Sequence, residues 1–322
     1  MRLQAYHDYP SRRSAVLADN VVATSHPLAS QAGITMLERG GNAVDAALAA
    51  AITLTLVEPS GNGIGSDAFA ILWDGQELHG VNASGRAPQT WTPERFSSLD
   101  RMPTHGWESV TVPGAVSSWV ALSDRFGKLP FADLFEPAIR YASSGFPVSP
   151  VIAKLWARAA EQLGDKPGFA ETFLPEGRAP MPGEYFRSAG HARTLQLIAE
   201  TKGQAFYEGV IAEEIAAYAK EHGAALTVDD MANHKADWCG TISKSFDGKA
   251  LHEIPPNGQG IAALMGLGIL SQTGIRDMAP DVPQTLHLQI EAMKLSLRDA
   301  EAYVADLDHM TSVTVEDLLD DG

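Results

Sequence analysis

Basic residues are scarce in this 322-residue chain, where 24 Lys and Arg stand against 40 Asp and Glu for a net charge of −16. Such a balance repels nucleic acid and anionic membrane surfaces, both of which are gripped through clustered Lys and Arg. No nucleic-acid and no membrane partner is therefore expected, and the acidity is read as solvation. Cysteine is rarer still: Cys239 stands alone, which excludes an internal disulfide. It follows Trp238 at what reads as the start of a strand, without a nucleophile signature around it, so a buried structural thiol is the expectation. Long hydrophobic runs are missing, since the most apolar stretch, Ala46–Val57, is too short to span a bilayer. Met1–Asn20 carries Arg2, Arg12 and Arg13 but no apolar core of a secretory signal. Cytoplasmic residence is the default, with a processed periplasmic or secreted protein as the alternative.

Familiar catalytic motifs are missing too. No G-x-x-x-x-G-K-[ST] occurs, and Gly61, Gly63 and Gly65 follow a helix and open a strand, the reverse of a dinucleotide fingerprint. The ten histidines are scattered, without H-E-x-x-H or a Cys/His cluster. His252-Glu253 and the pair His287 and Glu291 come nearest to a metal site, and a helix-surface pair explains the second equally well. There is no G-x-S-x-G elbow, and the adjacent Ser25 and His26 do not make a triad. Neither a metal nor an organic cofactor is expected, and no catalytic residue is assigned within this chain.

What is present is a globular composition, 45% apolar and 20% charged, on a chain long enough to bury a sizeable core. Helical and strand-like segments alternate, which favours an α/β (α+β) class, and no repeat or linker divides residues 1–322, so one domain is expected. Leu28–Arg39 reads as a helix stopped by Gly40-Gly41. Asn42 then caps a helix over Ala43–Val57 with Asp45 in its first turn, and the alanines of that helix suggest close packing on a sheet. Strands are expected over Ala68–Trp73 and Glu77–Asn82 around an Asp74-Gly75 turn, and over Thr241–Phe246 and Lys249–Ile254 around Asp247-Gly248. Residues 113–142 and 151–222 are mostly helical, with a Pro/Gly-rich break over 166–190. A long helix from Gln284 to about Asp306 gathers Leu286, Ile290, Met293 and Leu297 on one face.

The first hairpin delivers Asn82-Ala83-Ser84-Gly85-Arg86-Ala87-Pro88 to the end of a sheet, a place suited to binding groups. Arg86 is flanked by small and rigid neighbours. Its guanidinium suits a carboxylate, which it holds through two parallel charge-assisted bonds. Tying down the loop through backbone carbonyls is the competing role.

The run Ala32-Gly33 through Glu38-Arg39-Gly40-Gly41-Asn42-Ala43-Val44-Asp45-Ala46-Ala47 resembles the large subunit of the γ-glutamyltransferases, which are N-terminal-nucleophile hydrolases. Ser109-Val110-Thr111-Val112-Pro113-Gly114, Glu136-Pro137-Ala138 to Gly145-Phe146, Phe206-Tyr207-Glu208-Gly209 and Pro255-Pro256 to Gly260 extend the likeness, which runs from about residue 20 to 308. The resemblance implies a four-layer αββα sandwich completed by a separate small subunit of the same precursor. It also implies self-cleavage before a threonine, whose hydroxyl attacks a γ-glutamyl amide and passes the acyl group to water or an amino acid. The nucleophile is then expected downstream of Gly322; Thr311 and Thr314 do not head the expected strand. The family's arginine for the substrate carboxylate lies in a D-F-R-E-x-A-P motif. With Ala87-Pro88 aligned to that A-P, Ser84 falls at the arginine's place and Arg86 two residues later, on the same strand face. Ser84 and Arg86 are thus the candidate substrate-binding residues. The departure from the motif leaves room for a different acid, as in a related amidohydrolase or β-lactam side-chain acylase, and a non-catalytic scaffold is the third reading.

Overall fold

The computed structural model describes residues 16–321. Arg2, Arg12 and Arg13, and Gly322 at the other end, lie outside the described residues. The elements mix helix and short strand as expected, and the chain forms two compact units. Among the described residues, one comprises residues 16–63 with Ser123–Ala199; the other comprises Ile64–Leu122 and residues 200–321.

The first unit is helical apart from one short strand pair, Phe146–Pro147 with Tyr185–Phe186. Helix α1, Pro27–Glu38, begins one residue before the sequence reading because Pro27 fits the first turn, where no N–H is needed. His26 caps it, its Nδ1 accepting the Leu28 N–H at 3.2 Å. At its end Gly40 adopts φ +86°, Gly41 N–H returns to Met36 O and Gly40 N–H to Leu37 O, the double closure of a Schellman motif. Helix α2, Ala43–Val57, starts at once. Asn42 Oδ1 accepts the N–H groups of Val44 and Asp45 at 3.0 and 3.1 Å, and Asp45 Oδ2 accepts the Asn42 N–H at 2.9 Å. This capping box satisfies orphan donors at both ends of the turn. Asp45 also takes the N–H groups of Lys128 and Leu129, and Asn42 Nδ2 donates to Phe126 O at 2.6 Å. The most recognisable run of the sequence is therefore a fastener between helix ends.

The sequence reading set α2 against a sheet. Its chief neighbours are instead α1, the Phe131–Phe135 turn and the Glu136–Ser144 helix. Alanine at the contact positions lets helices approach as closely as it lets a sheet approach, so the sequence pattern does not choose between them. In its last turn Leu56 and Val57 join Phe146, Ile152, Trp156 and Phe186 in one buried cluster. Trp156 Nε1 satisfies itself on Phe173 O at 2.8 Å.

The second unit holds the sheet that matters for function. Strands β1, Ala68–Trp73, and β2, Leu78–Ala83, pair antiparallel from Ala68↔Ala83 to Trp73↔Leu78. Asp74 closes the turn by accepting the N–H groups of Gln76 and Glu77 at 2.7 and 2.9 Å, and His79 Nε2 meets its other oxygen at 2.8 Å. Asp74, Glu77 and His79 are the one metal-like cluster among the described residues. Those turn hydrogen bonds account for it. The short strand Asp237–Trp238 adds to the far side of β2, so β1 is an edge, with Phe69, Ile71 and Trp73 turned outward.

The second hairpin, Ile242–Phe246 with Lys249–Glu253, packs on the Ile261–Ser271 helix, against which the Pro283–Tyr303 helix lies. Here the apolar stripe does not face inward. Leu286, Ile290, Met293 and Leu297 are exposed, Ile290 by 58%, whereas Thr285, Ala292, Ser296 and Ala300 are buried. Gly266, lacking a side chain, gives the two helices room to approach, with Met293 Sδ and Ser296 Oγ the side-chain atoms nearest to it. No helix among the described residues is long and apolar enough to cross a membrane.

Candidate functional site

A cleft of about 650 Å³ opens in the second unit where β2 ends. The chain is steered into it by local hydrogen bonding. Asn82 Oδ1 accepts the Ser84 N–H at 3.0 Å, turning the backbone as the strand stops. Gly85 follows with φ +82°, and a side chain there would collide with the carbonyl of Val112. Glycine meets both demands. Val112 N–H then donates to Arg86 O at 3.0 Å, so the arginine's backbone is pinned while its side chain stays 62% exposed. Further along, Gln89 N–H donates to Asp230 Oδ1 at 2.9 Å, and Asp230 is itself held in a capping box with Thr227.

The structure brings both sequence candidates into the same cleft, in different states. Ser84 Oγ accepts from Asn257 Nδ2 at 3.0 Å, and Asn257 Oδ1 takes Asn82 Nδ2 at 2.7 Å. Arg86 makes one ion pair, from Nη2 to Asp237 Oδ2 at 3.3 Å. Binding of backbone carbonyls, the alternative role for this arginine, has no counterpart among its described hydrogen bonds.

Three neighbours were not singled out from sequence: Asp237, Asn257 and His234. His234 Nε2 lies 3.0 Å from Ser117 Oγ, while its buried Nδ1 has no partner. Burial lowers its pKa, the Arg86 charge lowers it further, and Asp237 opposes them in part. Ser117 Oγ donates to Gly114 O at 2.7 Å, and its N–H goes to the Tyr207 phenol at 2.9 Å. Tyr207 Oη donates a hydrogen bond to Pro113 O at 2.8 Å, and burial pushes its pKa up to about 12. These contacts buttress the wall behind Arg86.

Cys239 departs from its expected burial: it is half-buried and lines the cleft. Burial raises its pKa, so the thiol stays protonated and is a poor nucleophile. Ser25 and His26 serve as a loop tie to Glu58 and a helix cap, respectively. His252 meets Thr241 Oγ1 at 3.2 Å, and Glu291 pairs with Lys294 at 2.9 Å.

The scaffold mixes helix and short strand, and its structural neighbours have the N-terminal-nucleophile hydrolase fold. The chain belongs to the gamma-glutamyltranspeptidase family, whose profile matches residues 29–322. It is 36% identical over 312 residues to the glutathione hydrolase-like YwrD proenzyme of Bacillus subtilis, covering 96% of this chain and 59% of that protein. A cephalosporin acylase from Bacillus halodurans superposes with TM-score 0.92 at 47% identity, over 99% of this chain and 60% of that one. The gamma-glutamyltranspeptidase of Helicobacter pylori gives TM-score 0.89 at 26% identity, over 96% of this chain and 90% of that one. The chain thus spans about three-fifths of the length of the curated relative it matches.

Proposed function

We propose that this chain is the substrate-shaping part of an enzyme that cleaves γ-glutamyl amides, with the nucleophile supplied by a small subunit of the same precursor. The observation that carries the reading is Arg86, with its backbone fixed at the end of β2 and its guanidinium exposed in the cleft. A guanidinium so placed holds an acyl carboxylate in two bonds, which fixes the far end of the substrate and so aligns its amide carbon. On this reading an N-terminal threonine hydroxyl attacks that carbon, its proton passes to the α-amine, and the amine of the amide leaves protonated. Water or an amino acid then accepts the acyl group and frees the threonine.

Two unpartnered apolar faces of the second unit support the need for another subunit. Phe69, Ile71 and Trp73 project from edge strand β1, and Leu286, Ile290 and Leu297 from the long helix. Apolar surface of this kind is ordinarily covered. The proenzyme name and greater length of the Bacillus subtilis relative point the same way.

The test is turnover of a γ-glutamyl anilide by the assembled two-subunit protein. Absence of turnover by a processed enzyme with its threonine intact would sink the proposal. A second reading, hydrolysis of an amide of a different acid, is favoured by the two-residue shift of Arg86 and by the likeness to a cephalosporin acylase. A panel of acid-bearing amides decides between them by which compound has the higher kcat/KM.

A further inference from the structure

The strand Ile242–Phe246 turns Ile242, Lys244 and Phe246 toward the Ile261–Ser271 helix, since alternate residues of a strand share a face. Two of the three are apolar, and the third breaks the pattern. The Lys244 side chain is 12% exposed, and its stem crosses the helix at Gly268, where a Cβ would come within 3.1 Å of Lys244 Cε. An apolar side chain would fill that position without the cost of taking an ammonium out of water. A residue that departs from its local pattern in this way marks a strained or functional place.

Lys244 holds a distant segment. Its Nζ donates to Leu319 O at 2.6 Å and to Asp321 Oδ1 at 2.5 Å, across 75 and 77 positions of the chain. Asp299 and Asp320 line the same recess, so the ammonium sits among acidic groups, two of them from that segment. The segment is a single turn of helix, Val315–Leu319, closed by a capping box between Thr314 and Asp317. One turn is not stable alone in water. Val315, Leu318 and Leu319 hold it against the buried Ile261, Ala262 and Met265, and Lys244 fixes the backbone where it leaves the turn.

With the nucleophile supplied by the same precursor, as proposed, the threonine frees itself by self-cleavage. Its hydroxyl adds to the carbonyl carbon of the preceding residue, and the peptide C–N bond breaks as the nitrogen takes the hydroxyl proton. Water then hydrolyses the ester to a carboxyl terminus and a free threonine hydroxyl. Such a step is sensitive to how the reacting groups are delivered. We infer that Lys244 is a positioning residue for self-cleavage, clamping the backbone at Leu319 and Asp321 so that the chain that follows departs in one direction. The clamp serves maturation and takes no part in turnover. This inference rests on the reading that both subunits come from one precursor.

The experiment times the appearance of the two fragments from the full-length precursor, then measures kcat and KM per processed molecule on γ-glutamyl anilide. Lys244→Met keeps the stem and removes the donors. It is expected to slow self-cleavage on the order of tenfold, the scale of a small misplacement of reacting groups, and to speed amide hydrogen exchange over 315–321. Its urea midpoint, and its kcat and KM once processed, are expected to match wild type. A merely structural lysine would move the urea midpoint instead. Lys244→Arg, which keeps the charge and its donors, is expected to recover most of the rate. Lys249→Met, on the exposed return strand of the same hairpin, is expected to change nothing. Should Lys244→Met not fold, Asp321→Asn weakens the same clamp and is expected to slow cleavage by a smaller factor. Self-cleavage of the folded variant at the wild-type rate overturns the inference, as does a slowing matched by an equal loss of kcat after processing. If the wild-type precursor does not cleave itself, the reading of a shared precursor fails, and this one with it.

Discussion

Asp45 and Arg86 are both charged residues in glycine-marked runs, and their surroundings give them opposite roles. Asp45 is fully buried, and its two oxygens accept backbone N–H groups from Asn42, Lys128 and Leu129. Asp45→Ala leaves those donors without partners, so unfolding in urea is expected to show a loss of about 3 kcal/mol with an unchanged m-value. Arg86→Ala, by contrast, is expected to leave stability within about 0.5 kcal/mol, because an exposed ion pair contributes little, while raising KM roughly tenfold or more. Histidines add a pH signature. Burial lowers the pKa values of His26, His191 and His234 from the ordinary 6.5, so the folded protein holds them neutral. Below 6.5 the unfolded chain takes up protons that the folded one does not, and unfolding free energy falls as pH drops. Urea titrations between about pH 7.5 and about pH 5.5 are expected to show this slope, and replacing the three by Gln to flatten it. The carboxylates held low by partners, such as Glu108 beside Arg95 and Glu184 beside Arg178, lose their contribution only below about 4.5, which keeps the two windows apart.

Among the elements, those defined by short-range chemistry were legible and those defined by distant partners were not. The Gly40-Gly41 stop, the Asn42–Asp45 capping box and the Asp74-Gly75 and Asp247-Gly248 turns each depend on residues within a few positions, and each stands where the sequence indicated. The exposure of Arg86 at the end of β2 was legible for the same reason, since its neighbours Gly85 and Ala87-Pro88 are small and rigid. Asp237 and Asn257 were not, because they meet the Arg86 loop from 151 and 175 residues away. The Pro283–Tyr303 helix shows the limit most clearly. Its apolar periodicity announces that the stripe is to be covered, but the pattern carries no information on whether the cover lies in the same chain. Its inward face is the small-residue one, so Ser296→Leu is expected to overpack against the Ile261–Ser271 helix and cost about 1–3 kcal/mol in denaturant unfolding. Ile290→Ser on the outward face is expected to change the isolated chain by less than about 0.5 kcal/mol. In the assembled enzyme the same change is expected to weaken subunit association, read by titrating one subunit into the other.

For the molecule as a whole, two opposing properties meet on one surface. The chain carries a net charge of −16, which keeps copies apart, yet it exposes Phe69, Ile71 and Trp73 on one strand and Leu286, Ile290 and Leu297 on one helix. Long-range repulsion between copies is screened as ionic strength rises, the Debye length shrinking from about 10 Å at 0.1 M to about 3 Å at 1 M. Apolar association is not weakened by salt and is strengthened by excluded anions such as sulfate. The isolated chain is therefore expected to sediment as a monomer at low salt and to self-associate as salt is raised. A contact made by ion pairs would respond in the opposite direction, dissociating with salt. Replacing Trp73 and Ile290 by Ser is expected to abolish the salt-induced association without altering helix content. A second subunit that covers these faces is expected to do the same, with the added signature that the complex, unlike the bare chain, stays at one size across the whole salt range. Sedimentation velocity on the three samples checks this. Salt-induced association that survives in the Ser variant would place the contact elsewhere and remove the argument that these two faces await a partner.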